Sequence, residues 1–402
     1  MKIGILGGTF NPFHRGHLSI VKNIKKEFGL KQIWIIPTYI TVDKVFLIEN
    51  ISAQERYKII KYTLKKLKIN WIKLLNIEVK NHNVSYTYET LLKLKEKYPD
   101  NQFYFIMGED RYQTFHTWYK YQEIQKLANI IVYRRFISGS YHNKFIDEKF
   151  IEFYDEIIYD ISSTDILQNL RWDELLEPTK KYLAKRHFYL KTIVFNNLKF
   201  KRYQHSVSVA SHAKRLAKNN RYRNLKQAYF AGLVHDLFKY HPRNYLIEYV
   251  SKNLKENEKL PPFPALHGYA ASYWLENEYK LKDQKFLNAV KKHTTAAKKM
   301  TKLDKIVYVA DKIASDRKGK KIGHERKQAY RNLNFTFAKL LKRQVEKLQD
   351  EGIKFEELDQ NTKDAYLRYV LKLKSDKNIK KYYQNTKGDY ENKWTSIKKI
   401  NK

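Results

Sequence analysis

Residues 2–19, KIGILGGTFNPFHRGHLS, constrain this chain more than any other stretch. Ile3 to Leu6 mix small and branched apolar side chains, which suits a buried parallel strand. Gly7 and Gly8 are expected to end that strand, Thr9, Asn11 and Pro12 to make a turn, and a helix to begin between His14 and His17. A strand that stops at glycines and feeds a helix N-terminus builds a phosphate pocket. Its backbone N–H groups point outward, no Cβ blocks close approach, and the helix dipole favours the anion. His14 and His17, three apart, share a helical face and can both donate to phosphate oxygens.

At 402 residues the chain exceeds one average core, so two domains and a tail are expected, and 43% apolar residues suffice to build them. No apolar run approaches the roughly 20 residues of a spanning helix, and the N-terminus reads as a strand, not a leader. A soluble, cytoplasmic protein with no membrane partner is expected. The absence of cysteine rules out disulfides and thiolate metal sites, leaving His, Asp and Glu as metal ligands. The net charge of +37 is spread along the whole chain, together with many Asn, Ile and Tyr residues. That reads as compositional bias, so no nucleic-acid partner is expected, although a positive field draws anionic nucleotides toward a cleft.

The first half alternates strand and helix patterns. A helix over 18–28 is followed by the strand Gln32–Pro37 and a helix from Ser52, where Ser-Ala-Gln-Glu reads as a reciprocal capping box. The spacing then predicts a strand within 71–79, a helix over 88–98, a strand over 102–107 ending at Gly108, a helix at 124–127 and the strand Asn129–Tyr133. This order predicts a doubly wound parallel sheet with ligands at the carboxyl ends of its strands.

GGTFNPFHRGH, residues 7–17, resembles the G-G-T-F-x-P-x-H-x-G-H signature of the nucleotidyltransferases that include bacterial nicotinate-nucleotide adenylyltransferase. The resemblance runs over roughly residues 1–189. It implies that Gly7, Gly8, Thr9, Phe10, His14 and His17 bind ATP, the histidines acting on its phosphates together with Lys44. Ser85, Tyr86 and Thr87 resemble the segment that receives nicotinate mononucleotide. Trp118 stands where a tryptophan stacks on the pyridine ring, and Arg134 falls with the substrate-binding residues. Gly108 to Asp110 resembles a G-A-D turn near ATP. Residues 161–166 resemble the motif I-S-S-T-x-I-R, with Ser162 and Thr164 as hydroxyl donors. Two positions depart from the family. Leu167 replaces the arginine, with Arg171 one helical turn further on as a candidate substitute, and TVDK at 41–44 keeps Lys44 but loses the histidine before it. The resemblance implies Mg²⁺-assisted adenylyl transfer, in which the protein positions substrates and stabilises charge without a nucleophile of its own.

From Leu190 onward the sheet rhythm disappears and long helical patterns take over. The expected domains are 1–189, 190–350, and a lysine-rich helical extension and tail over 351–402. His205, His235, Asp236, His267, His293 and Asp311 lie in or beside apolar helical stretches. Such groups are costly to bury unless paired or metal-bound, so they make a candidate N/O metal site in an all-α bundle. On a helix His235 and Asp236 would diverge by about 100°, yet the two oxygens of Asp236 could bridge two ions.

The pattern H…HD…H…H…D resembles the HD-domain phosphohydrolases. HDLFK at 235–239, LHG at 266–268, KHTT at 292–295 and KIVYVADKI at 305–313 resemble the subfamily that splits diadenosine tetraphosphate symmetrically into two ADP. The resemblance implies that His205, His235, Asp236 and Asp311 hold one ion and that His267 and His293 complete a second, sharing Asp236. It points to iron, although the ligand set alone also suits manganese. It makes Arg202, Lys239 and Arg317 phosphate-binding cations, with Lys239 close to the chemistry. At 314–317, ASDR replaces E-P-x-R. His212, His241 and His324 read as ordinary surface or helix residues. The whole is then an α/β doubly wound, Rossmann-like nucleotidyltransferase domain followed by an all-α HD-domain helical bundle. Two rival readings give the second domain another nucleotide, or make the chain a basic RNA-associated protein with degenerate enzyme domains and its contacts in 376–402. Oligomeric state is not legible.

Overall fold

A computed structural model describes residues 1–39, 51–81, 86–134, 146, 148–154, 161–256, 258–319 and 322–371. The chain divides into two compact units, Met1–Asn197 with Glu276–Leu281, and Leu198–Leu275 with Lys282–Lys402. The division falls after Asn197 rather than at 189. The helix Leu190–Asn197 counts with the first unit because it buries Leu190, Ile193 and Val194 there, and its Asn196 Nδ2 donates to the Leu167 carbonyl at 3.0 Å.

The first unit is built on six parallel strands: β1 (Lys2–Gly8), β2 (Gln32–Pro37), β3 (Ile72–Leu74), β4 (Gln102–Gly108), β5 (Asn129–Tyr133) and β6 (Ile151–Tyr154), in the order β3-β2-β1-β4-β5-β6. Strands covered on both faces read as nearly continuous apolar runs, and each face has its own core. Ile3, Ile5, Phe103 and Phe105 pack with Leu91, Leu94 and Ile124 of the helices Thr87–Lys97 and Tyr121–Leu127. Leu6, Ile33, Ile35 and Ile106 pack with Ile20, Ile24, Ile60 and Leu64 of the helices Arg15–Glu27 and Ala53–Lys66. Strand order reverses between β1 and β4, so their carboxyl ends flank the crevice in which such sheets bind ligands.

Several local expectations change. β1 continues through Gly8, which pairs with Pro37, and the chain then passes Phe10, whose φ is +50°, into the expected turn at Asn11 and Pro12. The segment 71–79 is not one strand, because β3 stops at Leu74 and Ile77–Asn81 is a helix. Buried Glu78 in that helix accepts a bond from Thr90 Oγ1 at 2.9 Å, a tertiary anchor that local pattern does not reveal. Ser52 accepts from Glu55 N at 3.2 Å as expected, but the Glu55 carboxylate turns to Lys58 Nζ at 2.6 Å, leaving the capping box one-sided. β6 was not anticipated: only the last of its four residues is fully buried, so it carries little apolar signal.

Among its described residues the second unit contains no strand. Its helices include Phe200–Asn219, Leu225–Val234, Gln284–Lys291, Lys302–Ile313 and Leu333–Asp350, with Phe263–Asn277 contributing nearly its whole length. Small residues let the first two close to backbone distance: a Cβ on Gly232 would meet Ala213 Cβ at 3.0 Å and Ala210 Cα at 3.1 Å. Packing continues past residue 350. Thr362 Oγ1 donates to the Thr295 carbonyl at 3.0 Å, Tyr369 Oη accepts from Met300 N at 2.9 Å, and Ala365 and Val370 are buried. The candidate tail, 376–402, lies outside the described residues. No helix among the described residues is long and apolar enough to cross a membrane.

Candidate active sites

In the first unit the site forms where β1 leaves the sheet. His14 is the N-cap of helix Arg15–Glu27, and its backbone N–H donates to Nδ1 of His17 at 3.2 Å. That bond leaves Nε2 of a neutral His17 as the protonated nitrogen and therefore a donor. The two rings lie 3.7 Å apart, and Phe13 stacks on His17 at 5.5 Å while Phe10 meets it edge-on at 4.9 Å. Gly16 makes this possible, since a Cβ there would fall 3.0 Å from the buried His14 ring and 2.8 Å from Ile161 Cγ2.

One residue of this site escaped the sequence reading. Arg56 is buried and donates to the Thr9 carbonyl, to those of Thr38 at 2.6 Å and Tyr39 at 3.2 Å, and to that of Ile51 at 3.3 Å. A single guanidinium thus ties the glycine turn to the end of β2. Burial lowers its pKa below the ordinary value. An arginine on an amphipathic helix carries no signal that it points inward.

The other carboxyl ends contribute from β4 and β6. Gly108 precedes the short helix Glu109–Tyr112, and a Cβ on it would lie 2.5 Å from Asp110 Oδ1. Ser162 caps the helix Ser163–Gln168 by accepting from Asp165 N at 3.0 Å, while Ser163 Oγ donates to the Pro12 carbonyl at 3.0 Å. The start of that helix, where Thr164 is exposed, is therefore tied to the turn that carries His14. Because the helix ends at Gln168, Arg171 does not lie one turn along it. Its guanidinium is taken by Asp165 at 2.8 Å and Glu174 at 3.0 Å, and Leu167 is buried. Tyr86 sits before helix Thr87–Lys97 and 5.1 Å from Tyr119. Trp118 packs edge-on to Phe105 at 6.1 Å and Phe115 at 5.4 Å, and Arg134 directly follows β5. Lys44 and Ser85 lie outside the described residues.

In the second unit six side chains from five segments converge. His205 Nε2 lies 3.2 Å from Asp311 Oδ1, and that oxygen is 3.9 Å from His235 Nε2. His235 Nε2 is 3.3 Å from Asp236 Oδ2, whose partner oxygen Oδ1 is 2.9 Å from His267 Nε2 and 3.8 Å from His293 Nε2. Two triads result, His205–His235–Asp236 and Asp236–His267–His293, each with donor atoms within 4.8 Å of one another and with Asp236 shared. His235 and Asp236 do not diverge on a helix, because helix Leu225–Val234 ends just before them and a run of turns follows. The glycine of Leu-His-Gly has a steric reason: a Cβ on Gly268 would meet His293 Cε1 at 2.9 Å.

The far ring nitrogens are held as ligand histidines require. Nδ1 of His235 donates to the Gly232 carbonyl at 2.7 Å and Nδ1 of His293 to that of Val290 at 2.7 Å. Nδ1 of His205 donates to both oxygens of Asp316, each 2.9 Å away. These bonds leave Nε2 as the lone-pair nitrogen of each ring. Asp316 was missed in the sequence, where ASDR stood out only for the glutamate it lacks. Its role depends on a turn that brings it back onto His205.

Charge balance in the cluster is unusual. Burial by itself would raise the Asp236 carboxyl, but His235 and His267 hold it well below the ordinary range. Burial opposes Asp311 likewise, and the His205 bond with Lys312 and His235 nearby holds it low. Burial drives His293 well below the ordinary histidine value, assisted by His235 and His267. Burial also lowers His267, with Asp236 opposing and Lys239 assisting. The residues fit a divalent cation: His235 Nε2 is 0% exposed, makes no hydrogen bond and faces carboxylate oxygens. An orphaned buried nitrogen among imidazoles and carboxylates is what a borderline metal ion satisfies. Around the cluster Arg202 Nη1 reaches Asp236 Oδ2 at 3.0 Å, Arg317 Nη2 reaches Asp311 Oδ1 at 2.8 Å, and Lys239 is exposed at the rim.

Fold and sites together define a class, an α/β nucleotidyltransferase-type domain joined to a helical HD domain. The cytidylyltransferase-like family model matches residues 5–169 and the HD domain model residues 202–316. A Mycoplasma genitalium protein named "Probable nicotinate-nucleotide adenylyltransferase/Ap4A hydrolase" is 30% identical over 317 residues, 79% of this chain and 88% of that one. Its Mycoplasma pneumoniae namesake is 30% identical over 316 residues, 77% of this chain and 87% of that one. The chain belongs to this family of two-domain proteins. Among solved structures it covers 97% of an HD superfamily hydrolase from Clostridium acetobutylicum, using 46% of its own length, at 29% identity and a TM-score of 0.42.

Proposed function

We propose that the first unit transfers AMP from Mg²⁺-bound ATP to nicotinate mononucleotide, giving deamido-NAD and pyrophosphate, and that the second hydrolyses diadenosine tetraphosphate to two ADP. The mononucleotide phosphate attacks the α-phosphorus of ATP in line, and the bridge to the β-phosphate breaks. His17 Nε2–H and the start of helix Arg15–Glu27 stabilise the negative charge as it moves onto the leaving pyrophosphate. Tyr86, Thr87, Trp118 and Arg134 hold the acceptor, while Gly108, Asp110, Ser162 and Thr164 border the nucleotide.

The observation that carries the second activity is the pair of buried triads sharing Asp236. His205, His235, Asp236 and Asp311 would hold one ion, and Asp236, His267 and His293 another, with iron the metal we favour. Bound divalent ions polarise a phosphoryl oxygen and make water a better nucleophile. Arg202, Lys239 and Arg317 neutralise the polyphosphate. The central P–O–P bridge breaks, one ADP receiving the oxygen of water and the other its proton. The test is to incubate iron-loaded protein with diadenosine tetraphosphate and resolve the products by anion exchange. ADP alone supports the assignment. AMP with ATP keeps the hydrolase but removes the symmetry, and no product removes this substrate.

A further inference from the structure

We propose that the rim of the second unit's cluster carries a platform for the purine base of a nucleotide, made by Tyr240 beside Lys199. The proposal deepens the hydrolase reading and rests on it for the placement of the phosphates. Tyr240 is 47% exposed, which leaves a large ring surface in water. Isolated exposed aromatics need no explanation, but this one has a defined place. Lys199, Phe200 and Arg202 begin the helix that presents His205 one turn later, and Tyr240 closes the run of turns that starts at His235.

Two ties bind these segments together. Arg202 Nη1 lies 3.0 Å from Asp236 Oδ2, and further out Lys199 Nζ lies 5.1 Å from the centre of the Tyr240 ring. Moving outward from Asp236, a ligand meets a guanidinium first and an aromatic ring with its own ammonium next. That is the sequence of chemistry along a nucleotide: reacting phosphate, flanking phosphate, then base. Among the described residues Tyr240 has no aromatic partner of its own, so its ring is not part of a stacked core. A site for inorganic phosphoanhydrides would need the cations and not the ring. Base–aromatic stacking tolerates any purine and is worth roughly a factor of ten in affinity.

Calorimetry on the metal-loaded full chain tests this, titrating ADP and, separately, inorganic pyrophosphate. The isotherm belonging to this site is the one that Asp236→Ala abolishes. Tyr240→Ala should weaken ADP binding at that site about ten-fold, Tyr240→Phe should restore it, and pyrophosphate affinity should be unchanged in both. Equal ADP affinity in wild type and Tyr240→Ala overturns the platform, as does an equal loss of pyrophosphate affinity, which would mark a general disturbance. If diadenosine tetraphosphate is not cleaved while ADP binding still depends on Tyr240, the hydrolase reading falls and the platform stands.

Discussion

The two units handle phosphate chemistry in opposite ways. The first places its site at the carboxyl ends of its central strands, where the glycine turn, a helix start and two histidines come from eleven consecutive residues, 7–17. Its charges are partial and belong largely to the backbone, and the buried guanidinium of Arg56 is spent on backbone carbonyls. The second gathers two carboxylates, Asp236 buried and Asp311 partly so, among four buried histidines drawn from segments as far apart as His205 and Asp311. An ionised group taken out of water needs a partner, and this cluster supplies carboxylates, imidazoles and a fit for a metal. A backbone site can be written in one motif. A buried charged site needs a whole helical scaffold to close around it.

The contrast can be broken most sharply at Asp236, which belongs to both triads. Asp236→Ala should reduce bound metal to background by elemental analysis and abolish hydrolysis, while pyrophosphate release from ATP plus nicotinate mononucleotide continues at the wild-type rate. Retained stoichiometric metal would refute the ligand set. The mirror experiment is His17→Ala, which should slow adenylyl transfer by roughly 10²–10³-fold, the effect of losing one preorganised donor, and spare the hydrolase. Asp316→Ala should weaken metal affinity by roughly ten- to a hundred-fold, since it orients His205 rather than contacting the ion. A metal titration reads this directly, and an unchanged dissociation constant would deny Asp316 its positioning role.

The smallest effect concerns His212, which sits away from the ligands. Its Nδ1 is 2.6 Å from Tyr330 Oη and its Nε2 3.1 Å from Ser315 Oγ. Burial, with Arg326 and Arg215 nearby, lowers its pKa below the ordinary value. A ring whose folded pKa is depressed stabilises the fold fully above its unfolded pKa of about 6.5 and loses that contribution as pH falls toward the folded value. His212→Gln should therefore flatten the fall in Tm of the second unit as pH drops below about 6.5. An unchanged slope would assign the acid sensitivity to other groups.

Legibility followed the same divide. β2 and β5 match their expected bounds, because strands buried on both faces carry unbroken apolar runs. β3, β6 and the helix Ile77–Asn81 were misread or missed because their apolar signal is short and Glu78 is anchored by a distant threonine. In the second unit the residue types of the cluster were legible, but Asp316 was not, nor was the turn that swings His235 and Asp236 together.

By itself the sequence determined the strand-turn-helix at the start, the alternation that follows, the switch to helices, and which histidines and aspartates stand in apolar surroundings. These are local properties, set by backbone freedom, side-chain period and the cost of burying polar groups. Only tertiary structure decided that Arg56 ties the glycine turn to β2, that Arg171 is spent on two carboxylates, and that Gly232 and Gly268 open the room in which the cluster closes. Each of these depends on the distance between segments far apart in the chain, and that distance exists only once the helices and strands have packed.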